Sequence, residues 1–192
     1  MKGATENGVV TVAESNITKA ALAGALKELM ISMPFKKITV NNICSKCNMS
    51  RATFYYHFLD KYELLTWIFS TETARVLKRL PKAKTWRRIE KLCEYLYENR
   101  EFYVSALELD GQNSLREYFR GWLKKQMYHL LKDVIHDKIN RELYTDYCSA
   151  GVIYTIEEWL KHYPRLAPAD FVQRLKMIDP NVYIKRKAPT GL

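Results

Sequence analysis

Apolar positions recur at helical spacing along nearly the whole chain. Between Ile17 and Met33, the residues Leu22, Leu26, Leu29, Met30 and Met33 fall on one stripe and predict an amphipathic helix that Pro34 ends. Residues 1–15 are small, polar and aperiodic, and are expected to form a loose arm. Val40, Ile43, Cys44 and Cys47 mark the inward face of a short helix with Thr39 at its N-cap position. Asn48 can take the left-handed conformation of a tight turn, Met49 points back as a plug, and Ser50 caps a second short helix. Asp60 and Glu63 have capping-box spacing and open a long helix toward Leu80, which Pro81 stops. Further helices are expected over Thr85–Asn99 and Glu101–Leu107. A Gly111-Gln112-Asn113 turn precedes another, capped by Ser114 with Glu117 and running to about His136. The last ones cover Arg141–Tyr163 and Pro168–Met177. The fold class is therefore all-α. A three-helix domain with helix-turn-helix spacing is expected over 16–62, followed by a larger helical domain over 63–180 and a basic tail over 181–192.

The two short helices carry the chemistry. In the second, Phe54 and Phe58 lie one turn apart on a shared buried side. Ala52, Thr53 and Tyr56 fall opposite them, with Tyr55 and His57 on the flanks. Two aromatics one turn apart need no explanation beyond a core. Three consecutive residues, Tyr55, Tyr56 and His57, do, because no helix buries three in a row on one face. Small and hydrogen-bonding side chains on an exposed helix face suit a major groove.

Charge narrows the partner. The formal net charge is +10, and residues 16–61 hold seven basic residues against two acidic ones. A basic run over 75–91 contains one acid, Glu90, whereas residues 108–163 are near balance. The positive charge thus sits largely in the first half, as a polyanion-binding head on a near-neutral body requires. The 75–91 run reads more simply as a solvated helix connection. With no export signal or membrane-length apolar run, the expected location is the cytoplasm. Cys44 and Cys47 have the spacing of half a zinc site. No second pair supplies the missing ligands, and both fall on an inward face, so thiols are expected and no metal. There is no Walker loop, HExxH or glycine-rich dinucleotide turn, and the four histidines are scattered. Neither an enzyme nor a cofactor is expected.

Ser50, the run Thr53-Phe54-Tyr55-Tyr56-His57-Phe58 and Lys61 together resemble the TetR family of bacterial transcription regulators. The turn departs modestly from the family pattern, with Cys47-Asn48-Met49 and with Ala52 where glycine is common. Residues 95–119 and 150–163 resemble one C-terminal domain type of that family, which includes DhaS-like activators of dihydroxyacetone kinase operons. The resemblance implies a homodimer on a palindromic operator of double-stranded DNA. Arg51, Thr53, Tyr55, Tyr56, His57 and Lys61 would make the contacts, and Asn41, Ser50 and Ala52 would lie at the same surface. Lys61, at a helix N-terminus, suits a phosphate. Arg51 and Thr53 suit base edges, although Arg51 equally suits phosphate.

The resemblance also implies a signal entering through the body, from a small-molecule effector or a metabolite-sensing protein. Trp67, Trp86, Tyr95, Phe102, Tyr103, Phe119, Trp122 and Tyr154 are candidate pocket residues, though such a set would equally form a plain core. The dimer is expected through the last two long helices, at Tyr147, Gly151, Tyr154, Trp159, Phe171 and Leu175. The alternative is a protein-interaction co-regulator of the same fold that has lost specific DNA binding.

Overall fold

A computed structural model describes residues 7–80, 85–109, 114–131 and 135–178. Every regular element in it is helical: α1 (Asn7–Ser32), a 3-10 turn (Phe35–Lys37), α2 (Val40–Lys46), α3 (Arg51–His57), α4 (Lys61–Lys78), α5 (Thr85–Glu98), α6 (Arg100–Leu107), α7 (Leu115–Leu131), α8 (Lys138–His162) and α9 (Pro168–Ile178). The first helix begins at Asn7, inside the segment expected as an arm. No proline or glycine after Gly8 interrupts the run into the periodic part, so the helix propagates backward once its later turns are packed. α7 is described only as far as Leu131, short of the expected His136. α8 starts earlier than expected because Asp137 accepts the Asn140 N–H at 2.7 Å as an N-cap. Pro81, the Gly111–Asn113 turn and the basic tail lie outside the described residues.

The head is α1 to α3, with α4 running from it into the body. Leu22, Leu26, Ile43, Phe54, Leu64 and Leu65 are fully buried and share one core. α1 also packs on α4 and α6, so the first helix touches the body as well as the other head helices. In the body, α7 and α8 form the main helix pair, and α9 lies on α5. Two aromatic groups fill this interior. Phe69 has Tyr103, Phe119 and Trp122 around it, with ring centroids 6.2, 4.8 and 6.4 Å away. Trp159 is sandwiched between Tyr97 at 5.5 Å and Phe171 at 4.2 Å, and its Nε1 donates to the Leu166 carbonyl at 2.9 Å. Each large ring removes roughly 150–250 Å² from water, so these stacks dominate the body's stability.

Head and body are joined by a polar knot. Lys27 of α1 donates to both oxygens of Glu72 of α4, at 3.0 and 3.3 Å, and to Asn99 Oδ1 at 3.4 Å. The hydroxyls of Tyr95 and Tyr103 donate to the same Glu72 oxygen, Oε2, and the Lys27 ammonium sits 5.2 Å from the Phe102 ring centre. Burial, reinforced by the Glu72 charge, holds both phenols above their ordinary range and therefore protonated, which keeps them as donors.

Candidate nucleic-acid interface

Local capping chemistry sets the geometry of the helix-turn-helix. Thr39 and Asn42 form a reciprocal capping box: the Asn42 N–H donates to Thr39 Oγ1 at 3.1 Å, and the Thr39 N–H donates to Asn42 Oδ1 at 2.8 Å. Asn48 has φ 53°, the left-handed turn expected of it, and the Met49 N–H closes the turn on the Cys44 carbonyl at 2.9 Å. Ser50 then caps α3 by accepting the Thr53 N–H at 3.0 Å. Cys44 is buried and Cys47 half-buried. Burial pushes both thiols up, with Cys47 adding to the effect on Cys44, so they stay protonated. Among the described residues, no three His, Cys, Asp or Glu side chains gather as a ligand set for a metal ion.

The two faces of α3 divide as the spacing predicts, apart from Thr53. Phe54 and Phe58 are buried with ring centroids 5.9 Å apart, while Tyr56 is 83% exposed and Tyr55 51%. Arg51 and Ala52 are exposed, as is Asn41 on α2. The Arg51 guanidinium lies 5.9 Å from the Tyr55 ring centre, and Tyr56 meets His57 edge-on at 4.8 Å. Thr53 is half-buried, and its hydroxyl is tied to that of Ser50 at 2.9 Å. Partial burial, with the nearby Lys19 charge second, lowers the pKa of His57 from 6.5 and leaves it neutral at pH 7. Leu59, just past the helix, is also exposed.

Lys61, expected to suit a phosphate, here faces the linker that precedes α2. Its ammonium turns inward and donates to the carbonyls of Phe35 at 2.8 Å, Lys36 at 3.3 Å and Ile38 at 2.6 Å. An ammonium has three N–H donors, and all three are used, so in this structure Lys61 has none to offer a phosphate. Burial lowers its pKa. The start of α4 is capped instead by Asp60, whose Oδ1 accepts from Tyr62 and Glu63, while Glu63 accepts the Leu59 N–H. The exposed cations beside this junction are Lys36 and Lys37, which the helical periodicity passed over because they fall in the linker between helices.

The body distributes its candidate residues differently from the expected pocket. Phe102, Tyr103 and Phe119 are core, and Tyr95 and Trp122 pack against that core. Trp67 lies against Phe58 at 5.8 Å, Trp86 sits beneath the Lys176 ammonium at 5.8 Å, and Tyr154 is exposed on α8. The eight do not line one cavity. Tyr154 borders a cleft of about 90 Å³ with Arg116, Glu157 and Lys161. An open groove of about 490 Å³ lies where the end of α1 meets the end of α6 and contains none of the eight.

The expected dimer residues separate into two groups. Trp159, Phe171 and Leu175 are buried within their own chain, because α9 folds back onto α5 and α8 and takes up their apolar surface. Tyr147, Gly151 and Tyr154 face outward, and Ile139 and Leu143 extend their stripe along α8. A Cβ added at Gly151 would meet nothing within 4 Å.

Residues 17–66 match the model of bacterial regulatory proteins of the tetR family, and residues 84–178 match that of a transcriptional regulator C-terminal region. The chain is 31% identical over 132 residues to the HTH-type dhaKLM operon transcriptional activator DhaS of Lactococcus lactis subsp. lactis (strain IL1403), covering 68% of this chain and 67% of that protein. It is 26% identical over 179 residues to the uncharacterized HTH-type transcriptional regulator YxbF of Bacillus subtilis (strain 168), covering 82% of this chain and 44% of that longer protein. In fold it is similar to a TetR transcriptional regulator from Streptococcus agalactiae 2603V, with a TM-score of 0.67 and 21% identity over 90% of this chain and 99% of that one. It is also similar to the dihydroxyacetone kinase operon activator DhaS, with a TM-score of 0.61 and 23% identity over 88% of this chain and 97% of that one.

Proposed function

The chain belongs to the tetR family of bacterial regulatory proteins, and from that membership we propose that it acts in the cytoplasm as a homodimer on a palindromic operator. The observation that carries DNA reading is the exposed Tyr55-Tyr56 edge of α3, held above two buried phenylalanines by caps at Thr39 and Ser50. Tyr56, Tyr55 and Arg51 face the groove, with His57 and Asn41 at its sides. The exposed stripe Ile139, Leu143, Tyr147, Gly151 and Tyr154 supports pairing through α8, with the open space over Gly151 receiving a partner helix.

Input reaches the DNA-binding head through the body, from a small molecule or a protein partner. The tightly packed aromatics favour a partner acting on the surface. The name of the Lactococcus relative supports activation as the sign of regulation.

Fluorescence anisotropy on a duplex from upstream of the protein's own gene, against a scrambled duplex, tests the reading. Specific binding with two subunits per site is expected, and Tyr56→Ala should weaken it by about 1–3 kcal/mol while leaving the dimer intact. Gly151→Leu should keep the fold and shift sedimentation toward monomer. Equal, weak binding to both duplexes by an intact dimer would favour a co-regulator that has lost specific DNA binding.

A further inference from the structure

The end of α1 and the 3-10 turn after it meet the end of α6 at an open groove of about 490 Å³, a volume in the range of small-molecule sites. One wall belongs to the head and the other to the body. Of the lining residues, Met30, Phe35 and Leu109 are buried and Met33 is half-buried, while Ile31 is 70% exposed. Two methionines in one groove give a surface that adapts its shape to an apolar guest.

The two charged side chains of the lining differ in what answers them. Glu108 is paired with Lys161 of α8 at 2.5 Å, so its charge is met within the chain. Lys36 is exposed and has no ion-pair partner among the described residues. Only its backbone is committed. The Lys36 carbonyl accepts from the Lys61 ammonium at 3.3 Å, and the buried Phe35 and Ile38 anchor the turn around it. The groove therefore combines an apolar surface with one unanswered positive charge on a fixed root.

We propose that this groove binds an aliphatic carboxylate, with the acid group on Lys36 and the chain over Met30, Met33 and Leu109. The acid supplies the missing charge, and the chain takes Met33 and Ile31 out of water. An open groove suits an extended chain lying along it, and none of the body's packed rings lines it. A molecule touching both walls favours the head and body arrangement that sets those walls this far apart. That regulatory step rests on the DNA-binding reading above, whereas the binding site does not.

Titrating octanoate into the full chain, isotope-labelled at its methionine methyl groups, reads the site directly by NMR. The Met30 and Met33 resonances, assigned with Met30→Leu and Met33→Leu, should move with octanoate and far less with octanol. Lys36→Glu should weaken octanoate by about fivefold or more, the scale of one exposed charge contact, and turn the groove toward octylamine. Lys36→Gln, the milder change, should remove the preference for octanoate over octanol. On a duplex that the wild type binds, octanoate should change DNA affinity by about fivefold or more, and should leave that of Lys36→Glu unchanged.

Unmoved Met30 and Met33 resonances overturn the site. Equal shifts with octanol overturn the role of Lys36, and tighter binding of octyl phosphate overturns the carboxylate. Resonances that move with protein concentration alone give the groove to a second copy of the chain and overturn the ligand. Moved resonances with unchanged DNA affinity overturn the regulatory step alone. Wild-type protein that binds no duplex removes the DNA-binding reading and leaves the methyl result standing.

Discussion

The head and the body use aromatic side chains in opposite ways. At α3, Phe54 and the C-capping Phe58 are buried while two neighbouring tyrosines are displayed. In the body, Tyr103, Phe119 and Trp159 are themselves the filling, packed ring against ring. A short helix that shows its largest side chains to solvent loses burial energy and keeps a surface for something else. A long-helix body that hides them gains stability and leaves only an outer stripe, on α8, exposed. Function in the head is therefore read from exposed residues, and in the body from what remains exposed after the rings have found one another.

Removing a body ring breaks this contrast most strongly. Trp159→Ala deletes a fully buried side chain stacked on two rings and should cost about 3–5 kcal/mol in denaturant unfolding. A loss under about 1 kcal/mol would mean that the body holds slack space after all. The equivalent truncation on the display side, Tyr56→Ala, should leave stability within about 0.5 kcal/mol, as for an exposed site.

The joint between the two regions comes next. Glu72→Gln removes the charge that holds Lys27 while nearly keeping its shape. Both side chains are about a fifth to a quarter exposed, so the effect is discounted from that of a fully buried pair to roughly 1–2 kcal/mol. Adding Lys27→Met should recover part of the loss, since the orphaned ammonium is then gone. Strictly additive losses in unfolding experiments would show that the knot does not couple α1 to α4.

A smaller effect is expected at the turn. Asn48→Ala puts a side chain that disfavours positive φ at 53° and should cost about 1 kcal/mol, whereas Asn48→Gly should be near neutral. Equal melting of both variants would mean that the turn relaxes.

These differences also explain what the sequence made legible. The helix-turn-helix obeys rules that act over a few residues: caps at Thr39 and Ser50, a left-handed Asn48, and Phe54 one turn from Phe58. Each is visible without knowing what packs where. The direction of the Lys61 ammonium depends on carbonyls 23 to 26 residues earlier in the chain, which no local rule reports. Trp159, Phe171 and Leu175 look like surplus apolar surface on their helices until α9 is seen lying on α5 with Phe171 stacked on Trp159. The aromatic set named as candidate pocket residues or plain core is subject to the same limit: helical spacing says that a ring points inward, and the partner helices decide whether it meets another ring or a space. Extension of α1 to Asn7 is a propagation effect, which depends on the anchored turns that follow it.

The smallest expected effect concerns His57, at the edge between displayed and buried residues. Its folded pKa lies below 6.5 because burial, then the positive Lys19, disfavours the imidazolium. Below pH 6.5 the unfolded chain therefore binds more protons here than the folded one. This residue's contribution to stability is complete above that pH and is lost as pH falls toward the folded pKa. A nearby phosphate acts in the other direction. It favours the charged ring, so complex formation should take up a proton, and affinity should rise as pH falls from 7.5 to about 6. Anisotropy titrations at fixed salt, compared between wild type and His57→Gln, separate the two. A pH slope in wild type that His57→Gln abolishes puts the imidazole at the DNA backbone. The same slope in both proteins assigns it to another group and leaves His57 as the packing partner of Tyr56 at the end of α3.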